Sequence, residues 1–277
     1  MLFWRTSPAV AILGGLTGLF FYAPVLGIQF LIARRINLAD PAPPSTRFQS
    51  IRAWYAEVLV VARVFFWQMP FRSLQIPDSA DSRSTPGGLR GVVFIHGFIC
   101  NRGLWNPWIR KLHSQRRQYA AVNLEPVLGS IDEYVPIVDR AVSAMTTSTG
   151  LPPLIICHSM GGLAARAWLR SDAANDNRIY HVVTIGTPHH GTWVGSNFTP
   201  LNVRQMKLDS TWLDQLEKAE SHERYKLFTC FYSNCDNIVF PTSTGKLAGA
   251  DNRLVVGVAH LALVFNRQVI AESLAKL

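Results

Sequence analysis

The stretch that decides the fold runs from Leu151 to Trp168, "LPPLIICHSMGGLAARAW". The run PLIIC (153–157) is apolar without alternation, the pattern of a strand buried on both faces. "LAARAWLR" (163–170) then repeats small and apolar residues at helical spacing. Between them His158-Ser159-Met160-Gly161-Gly162 must turn a strand abruptly into a helix. That context is what the G-x-S-x-G nucleophile elbow requires: a strained turn lifts the serine to the carboxyl end of a sheet, and glycine lets strand and helix backbones pass closely. Gly161 meets the need, but Cys157 stands where the pattern has its first glycine. Cysteine is compact and commonly buried, so it is a sterically reasonable occupant. Taken alone, these residues leave open whether Ser159 is a nucleophile or an ordinary turn serine.

Outward from this stretch, apolar runs alternate with helical patterns. GVVFI (91–95), QYAAVNL (118–124), PLIIC (153–157), IYHVVTI (179–185), YKLFTCFY (225–232) and NRLVV (252–256) read as strands. Helices are expected around 107–117, 132–148, 160–171, 211–221 and 264–276. Strands separated by helices imply an α/β class with a mostly parallel central sheet covered on both faces.

A serine hydroxyl is a poor nucleophile without a base, an orienting carboxylate and donors for the oxyanion. On such a sheet the order along the chain is serine, acid, histidine. After the strand YKLFTCFY comes "SNCDNIVFP", with Asp236; then "VVGVAHLALVF", with His260, and no histidine other than His260 follows Asp236. Asp236 also reads as a plain turn residue. Asp251 is the reserve acid and Asp209 a distant third. The first strand ends in "FIHGF", where Gly97 allows a sharp turn that aims the Phe98 N–H at the site; Met160 N–H, at a helix start, is the second expected oxyanion donor.

These residues together resemble the α/β-hydrolase superfamily and, within it, the bacterial lipase/esterase-like branch (triacylglycerol lipase-like). "HGF" is similar to the oxyanion loop, "HSMGG" to the elbow, "TIGTPHHGT" (184–192) to the loop after the next strand, and "YSNCDNIV" and "AH" to the acid and histidine loops. The resemblance covers roughly residues 90–277. It implies an α/β-hydrolase fold and a Ser159 acyl-enzyme later attacked by water, with His260 as base then acid and Asp236 fixing its tautomer. It implies no cofactor. It also makes residues 192–210 a candidate lid or acyl-pocket wall, with a plain connecting loop as the equal alternative; "CNRGLWNPW" (100–108), with its two tryptophans, reads as part of the pocket rim. Adjacent His189 and His190 have no carboxylate cluster near them in sequence, so no metal is expected.

Residues 1–90 have a different character. Between Arg5 and Arg34 lie 28 uncharged residues, which as helix would reach ~42 Å against a hydrocarbon core of ~30 Å. One tilted N-terminal transmembrane helix fits, ahead of a cleaved signal peptide or a buried core helix, since a signal sequence is shorter and needs a small-x-small cleavage site. The net charge of the chain is +9, and residues 1–90 hold nine arginines against four acids. Arg34, Arg35, Arg47 and Arg52 follow the span, a bias that favours a cytoplasmic catalytic domain or attraction to anionic headgroups. The expected location is therefore an inner or plasma membrane. No basic patch interleaved with aromatics marks the catalytic region, which argues against nucleic acid. The expected division is an anchor and proline-rich linker (1–40), an amphipathic helix and connector (41–89) and the catalytic domain (90–277). The helix, 51–69, places Ile51, Trp54, Tyr55, Val58, Leu59, Val61, Ala62, Phe65 and Phe66 on one face, for packing on the core or lying in a membrane interface. Cys230 and Cys235 could pair in an oxidising compartment. The expected function is membrane-anchored hydrolysis of carboxylic esters, of lipids in particular. An acyltransferase, thioesterase or amidase using the same acyl-enzyme, or an inactive binding protein on the same fold, are the alternatives.

Overall fold

Parallel strands cannot be joined by tight turns; each needs a crossover, and the helical stretches between the apolar runs supply it. The computed structural model describes positions 9, 14, 15, 17 and 18 and residues 20–79, 88–194 and 200–277. Its six strands are β1 (Val92–Ile95), β2 (Tyr119–Ala121), β3 (Leu154–His158), β4 (His181–Ile185), β5 (Phe228–Tyr232) and β6 (Asp251–Leu254). They form one sheet in the order β2-β1-β3-β4-β5-β6, and every neighbouring pair is parallel. Each overlaps an expected run. The edge strand β6, with no buried residue, carries Asp251 and Arg253, charges that blunt a free edge.

The helices are α1 (Ala23–Ile36), α2 (Arg47–Arg63), α3 (Asn106–Ser114), α4 (Val135–Thr149), α5 (Met160–Ser171), α6 (Leu201–Gln205), α7 (Thr211–Lys218) and α8 (Arg267–Leu274). The two-residue period of β1 divides them between two layers. Val93 and Ile95 join a core with Val138 and Val142 of α4, Leu163 and Trp168 of α5 and Leu216 of α7. Val92 and Phe94 face a second core with Trp108 and Leu112 of α3 and Val269 of α8.

That second core corrects one expectation. Trp105 and Trp108 are not on a pocket rim: both are fully buried against Phe94, Trp105 stacked on it at 4.8 Å, and Trp108 Nε1 donates to the Val264 carbonyl. Two indoles beside an apolar strand bury too much surface to be left at an edge.

Among the described residues no helix is long and apolar enough to cross a membrane. The expected span over residues 6–33 lies partly outside the described residues, and the transmembrane helix finds no support in those that are described. The reason lies in α1: its 14 residues reach only ~21 Å, and Phe30 and Ala33 are buried on the protein. Trp54 Nε1 donates to the Ala23 carbonyl and Tyr22 Oη to the Val58 carbonyl, so α1 lies along α2. The presumed linker is likewise tied down. Asn37 Oδ1 accepts from Thr242 N, Asp40 Oδ2 from Ser243 N, and the Pro43 carbonyl from Asn234 Nδ2.

Helix α2 begins four residues before the expected start because Thr46 and Gln49 form a capping box. It continues through a π turn (Val64–Gln68) into a last turn, Met69–Arg72. Ala53, Glu57 and Val64 face the body, whereas Ile51, Tyr55, Leu59 and Phe66 are exposed. The helix thus does pack on the core, through Trp54, Val58, Val61 and Phe65 of its hydrophobic pattern together with residues outside it, while the rest of that pattern stays exposed. Cys230 lies in the first core and Cys235 in a small cluster with Phe30 and Ala53; all four cysteines are free.

Candidate active site

The carboxyl ends of β1, β3 and β4 are in register: Ile95 lies beside Cys157, and His158 beside Ile185. Ser159 therefore leaves the sheet between the loops that follow β1 and β4. It sits at φ 53°, ψ −126°, a strained conformation for a residue with a side chain, and its N–H donates to the Ile185 carbonyl at 2.9 Å. The turn is possible because of what lies beneath it. A Cβ on Gly161 would come within 2.5 Å of the Ile95 carbonyl oxygen, and one on Gly97 within 2.8 Å of Ser159 Cβ. Cys157 is fully buried in β3 under the elbow, where only its backbone must match its neighbours. Burial pushes its thiol well above the usual range, so it is an inert filler there.

Three of the expected residues meet in one chain of hydrogen bonds. His260 Nε2 is 3.0 Å from Ser159 Oγ, and His260 Nδ1 is 2.9 Å from Asp236 Oδ2. The other Asp236 oxygen accepts from Ile238 N at 2.9 Å and Val239 N at 2.7 Å, which fixes the buried carboxylate. Burial opposes charge on His260, but attraction to Asp236, their hydrogen bond and the charge of Glu57 together raise its pKa above 6.5. Asp251 and Asp209 are exposed and do not join this chain; Asp251 pairs with Arg253 on β6.

Of the expected oxyanion donors, Met160 is buried as the first residue of α5, directly after Ser159. Phe98 follows the Gly97 that touches Ser159. His96 holds this loop: its Nε2 accepts from Leu124 N at 3.0 Å, which puts the ring proton on Nδ1, donating to the Gly97 carbonyl at 2.8 Å. Burial lowers the His96 pKa to about 4. His158 packs against the His260 ring, 4.7 Å between centroids, with its Nε2 on the His260 carbonyl at 3.3 Å. Burial keeps His158 neutral, its pKa well below 6.5.

Sequence reasoning missed Glu57. It projects from α2 onto the histidine loop, where its two carboxylate oxygens accept from Leu261 N at 2.9 Å and Ala262 N at 3.0 Å. Burial raises its pKa to about 7 against the pull of those two donors and of His260. Asn237 adds a third tie, accepting from His260 N at 3.3 Å while donating to Gln29 of α1 at 3.1 Å. Arg166 was missed too. Held by a buried ion pair with Glu220 at 2.5 Å, it donates to the His189 carbonyl at 2.9 Å and so braces the loop after β4. His189 itself is turned inward, its Nε2 2.9 Å from Thr184 Oγ1. The only overlooked signal for Glu57 was an acid in an apolar helix. Of the candidate lid, residues 195–199 lie outside the described residues; α6 and the bridge between Thr192 and Lys207 frame the rest.

Among curated proteins none matches the chain by sequence. Residues 132–267, just under half of the chain, match the family described as PGAP1-like alpha/beta domain. Among solved structures, Aspergillus fumigatus lipase B is similar at TM-score 0.59 and 17% identity, over 83% of this chain and 58% of its own. The mature form of a Bacillus licheniformis lipase is similar at TM-score 0.56 and 15% identity, over 69% of this chain and 89% of its own. A Paleococcus ferrophilus monoacylglycerol lipase follows at TM-score 0.50 and 15% identity, over 69% and 97%. The chain thus spans little more than half the length of the Aspergillus lipase, and at these identities the likeness is one of fold. Six parallel strands, a serine at the turn after β3 and these neighbours give the chain an α/β-hydrolase fold, the fold of the lipases it is similar to.

Proposed function

We propose that the chain is a membrane-associated serine hydrolase of carboxylic esters, with lipid acyl esters as its substrates. The observation that carries this reading is the unbroken path from Ser159 Oγ through the His260 ring to the buried Asp236 carboxylate, at 3.0 and 2.9 Å. In the proposed reaction His260 Nε2 takes the Ser159 proton as Oγ attacks the ester carbonyl. The amides of Phe98 and Met160 receive the charge that develops on the carbonyl oxygen. Collapse of the tetrahedral intermediate transfers the His260 proton to the departing alcohol and leaves an acyl-serine. Water, deprotonated by the same nitrogen, then releases the acid and restores Ser159. Asp236, which cannot rotate away from Ile238 N and Val239 N, holds the ring with Nε2 toward the serine. An acceptor alcohol, thiol or amine in place of water would give the acyltransfer alternative.

The membrane part rests on surface chemistry. Phe21, Val25, Ile28 and Leu31 of the α1 region and Ile51, Tyr55 and Leu59 of α2 are exposed apolar groups, with Arg34, Arg35, Arg47 and Arg52 nearby in sequence. Exposed apolar surface rimmed by cations is suited to an anionic bilayer. In this reading residues 1–40 anchor the catalytic residues 90–277 to an inner or plasma membrane, on its cytoplasmic side. Protease accessibility in spheroplasts tests the side.

The enzyme reading is tested by a fluorophosphonate probe on the purified full chain. Wild type should label at one site and Ser159→Ala not at all. Labelling that survives in Ser159→Ala, or none in folded wild type, removes Ser159 from its role. A chain-length series of 4-nitrophenyl esters with and without detergent micelles then separates lipase from soluble-ester behaviour.

A further inference from the structure

Apart from the triad, one cleft gathers positive charge that no described residue neutralises. Where the π turn of α2 leads toward Arg72, the chain faces α3 across a cavity of about 320 Å³ lined chiefly by Arg63, Trp67, Gln68, Arg72, Gln75 and Arg110. Among the described residues three guanidiniums and no carboxylate meet there, and none of the three is ion-paired. Two are held by rings instead: Arg63 lies 4.1 Å from the centroid of Phe265 and Arg72 5.0 Å from that of Trp67. Arg110 donates to the neutral Gln75 side chain at 3.3 Å. These contacts orient the cations without cancelling their charge. Burial also works against Arg63, lowering its pKa, a cost that a bound anion would relieve. Gln68 completes the wall. The residue is 7% exposed, and its Oε1 is buried without a hydrogen-bond partner.

We propose that this cleft is a binding site for a phosphate group. A guanidinium presents parallel N–H donors that match phosphate oxygens in pairs, and three of them suit an anion with three or more oxygens. A carboxylate offers two oxygens in one plane, whereas the oxygens of a phosphate, ester oxygens included, stand tetrahedrally and can be met by guanidiniums from several sides. The phosphate belongs either to a lipid headgroup or to a free ion. Phe66, Trp67, Phe71 and Leu74, exposed along the same stretch, give a lipid headgroup an apolar neighbour. The cleft shares no residue with the triad, so this site stands whether or not Ser159 is a nucleophile.

The test is calorimetric titration of the full-length Ser159→Ala protein in nonionic detergent, which removes turnover from the heat. The ligands are inorganic phosphate, dihexanoylphosphatidylglycerol and, as the phosphate-free control, dihexanoylglycerol. Arg72→Gln/Arg110→Gln should weaken the phosphate-bearing ligands at least tenfold and leave dihexanoylglycerol unchanged. Arg72→Lys/Arg110→Lys, which keeps the charge and loses the fork, should fall between. Tighter binding of the phospholipid than of inorganic phosphate assigns the site to headgroups; equal binding assigns it to the free ion. Absence of saturable binding by both, or undiminished binding in the glutamine variant with native near-UV circular dichroism, overturns the proposal. In the otherwise wild-type chain the glutamine pair should leave fluorophosphonate labelling at its normal rate, which separates a failure here from a failure of the enzyme reading.

Discussion

Ser159 and His260 face each other because two backbones are forced together, and the acid is fixed by amides instead of by a counter-charge. Asp236→Asn keeps the shape but can donate to His260 Nδ1, favouring the wrong tautomer. It should lower kcat about 10⁴-fold, while Asp251→Asn, on the exposed edge strand, should stay within about twofold. Comparing the two in one esterase assay checks the assignment. The base must be neutral to act, and the His260 pKa lies above 6.5. Activity should therefore rise with pH through a single ionisation above 6.5 and fall away below it, measured as kcat/KM against pH. At this scale the serine, the acid and the histidine were legible because their order and their places at strand ends are dictated by the fold. Glu57 was not. On a helical wheel it counts as a solvated charge, and its partners are two backbone amides some two hundred residues away, which leave no mark in a side-chain pattern.

The helix that carries Glu57 shows what an element can add to a site it does not line. With α2 in place, the histidine loop has both of its amides at 261 and 262 satisfied. Glu57→Ala would leave two donors without an acceptor, a loss of about 2–5 kcal/mol from unfolding stability. Beyond that, kcat should fall at least about tenfold with KM nearly unchanged. Glu57→Gln, which still serves one amide, should recover part of both losses, and removing the carboxylate charge should move the activity's ionisation to lower pH. Urea melts and pH–rate profiles of the two variants check this; an unmoved profile would reduce Glu57 to a purely structural brace. The helical pattern correctly located α2 but only part of its packed face. Hydrophobic periodicity locates an apolar stripe, and here part of that stripe, Ile51, Tyr55 and Leu59, points away from the body. The start at Thr46 was readable as a T-x-x-Q capping box, a local signal that hydrophobic counting passes over.

Across the whole molecule, the parallel sheet and its two covering layers were legible because continuous apolar runs have few other uses in a chain of this size. The docking of residues 23–43 was not, since it depends on long-range bonds made by Gln29, Asn37 and Asp40, residues common in any loop. The buried histidines also act globally. His96 titrates near 4 when folded and near 6.5 when unfolded, so the folded state binds fewer protons between those values. Its contribution is complete above 6.5 and is lost as pH falls toward 4, a change of order 3 kcal/mol. His158 and His189 act with the same sign, and His260, whose pKa is raised, with the opposite one. Urea midpoints measured from pH 7.5 to 4.5 should decline, and less steeply in His96→Gln, whose carbonyl can still accept from Leu124 N. The bonds from Asn37, Asp40 and Pro43 to the acid loop carry one more consequence. They leave Ser159 no leash: it keeps a fixed attitude to whatever holds the N-terminal segment, and under the proposed function choice of substrate becomes a matter of depth and angle instead of reach.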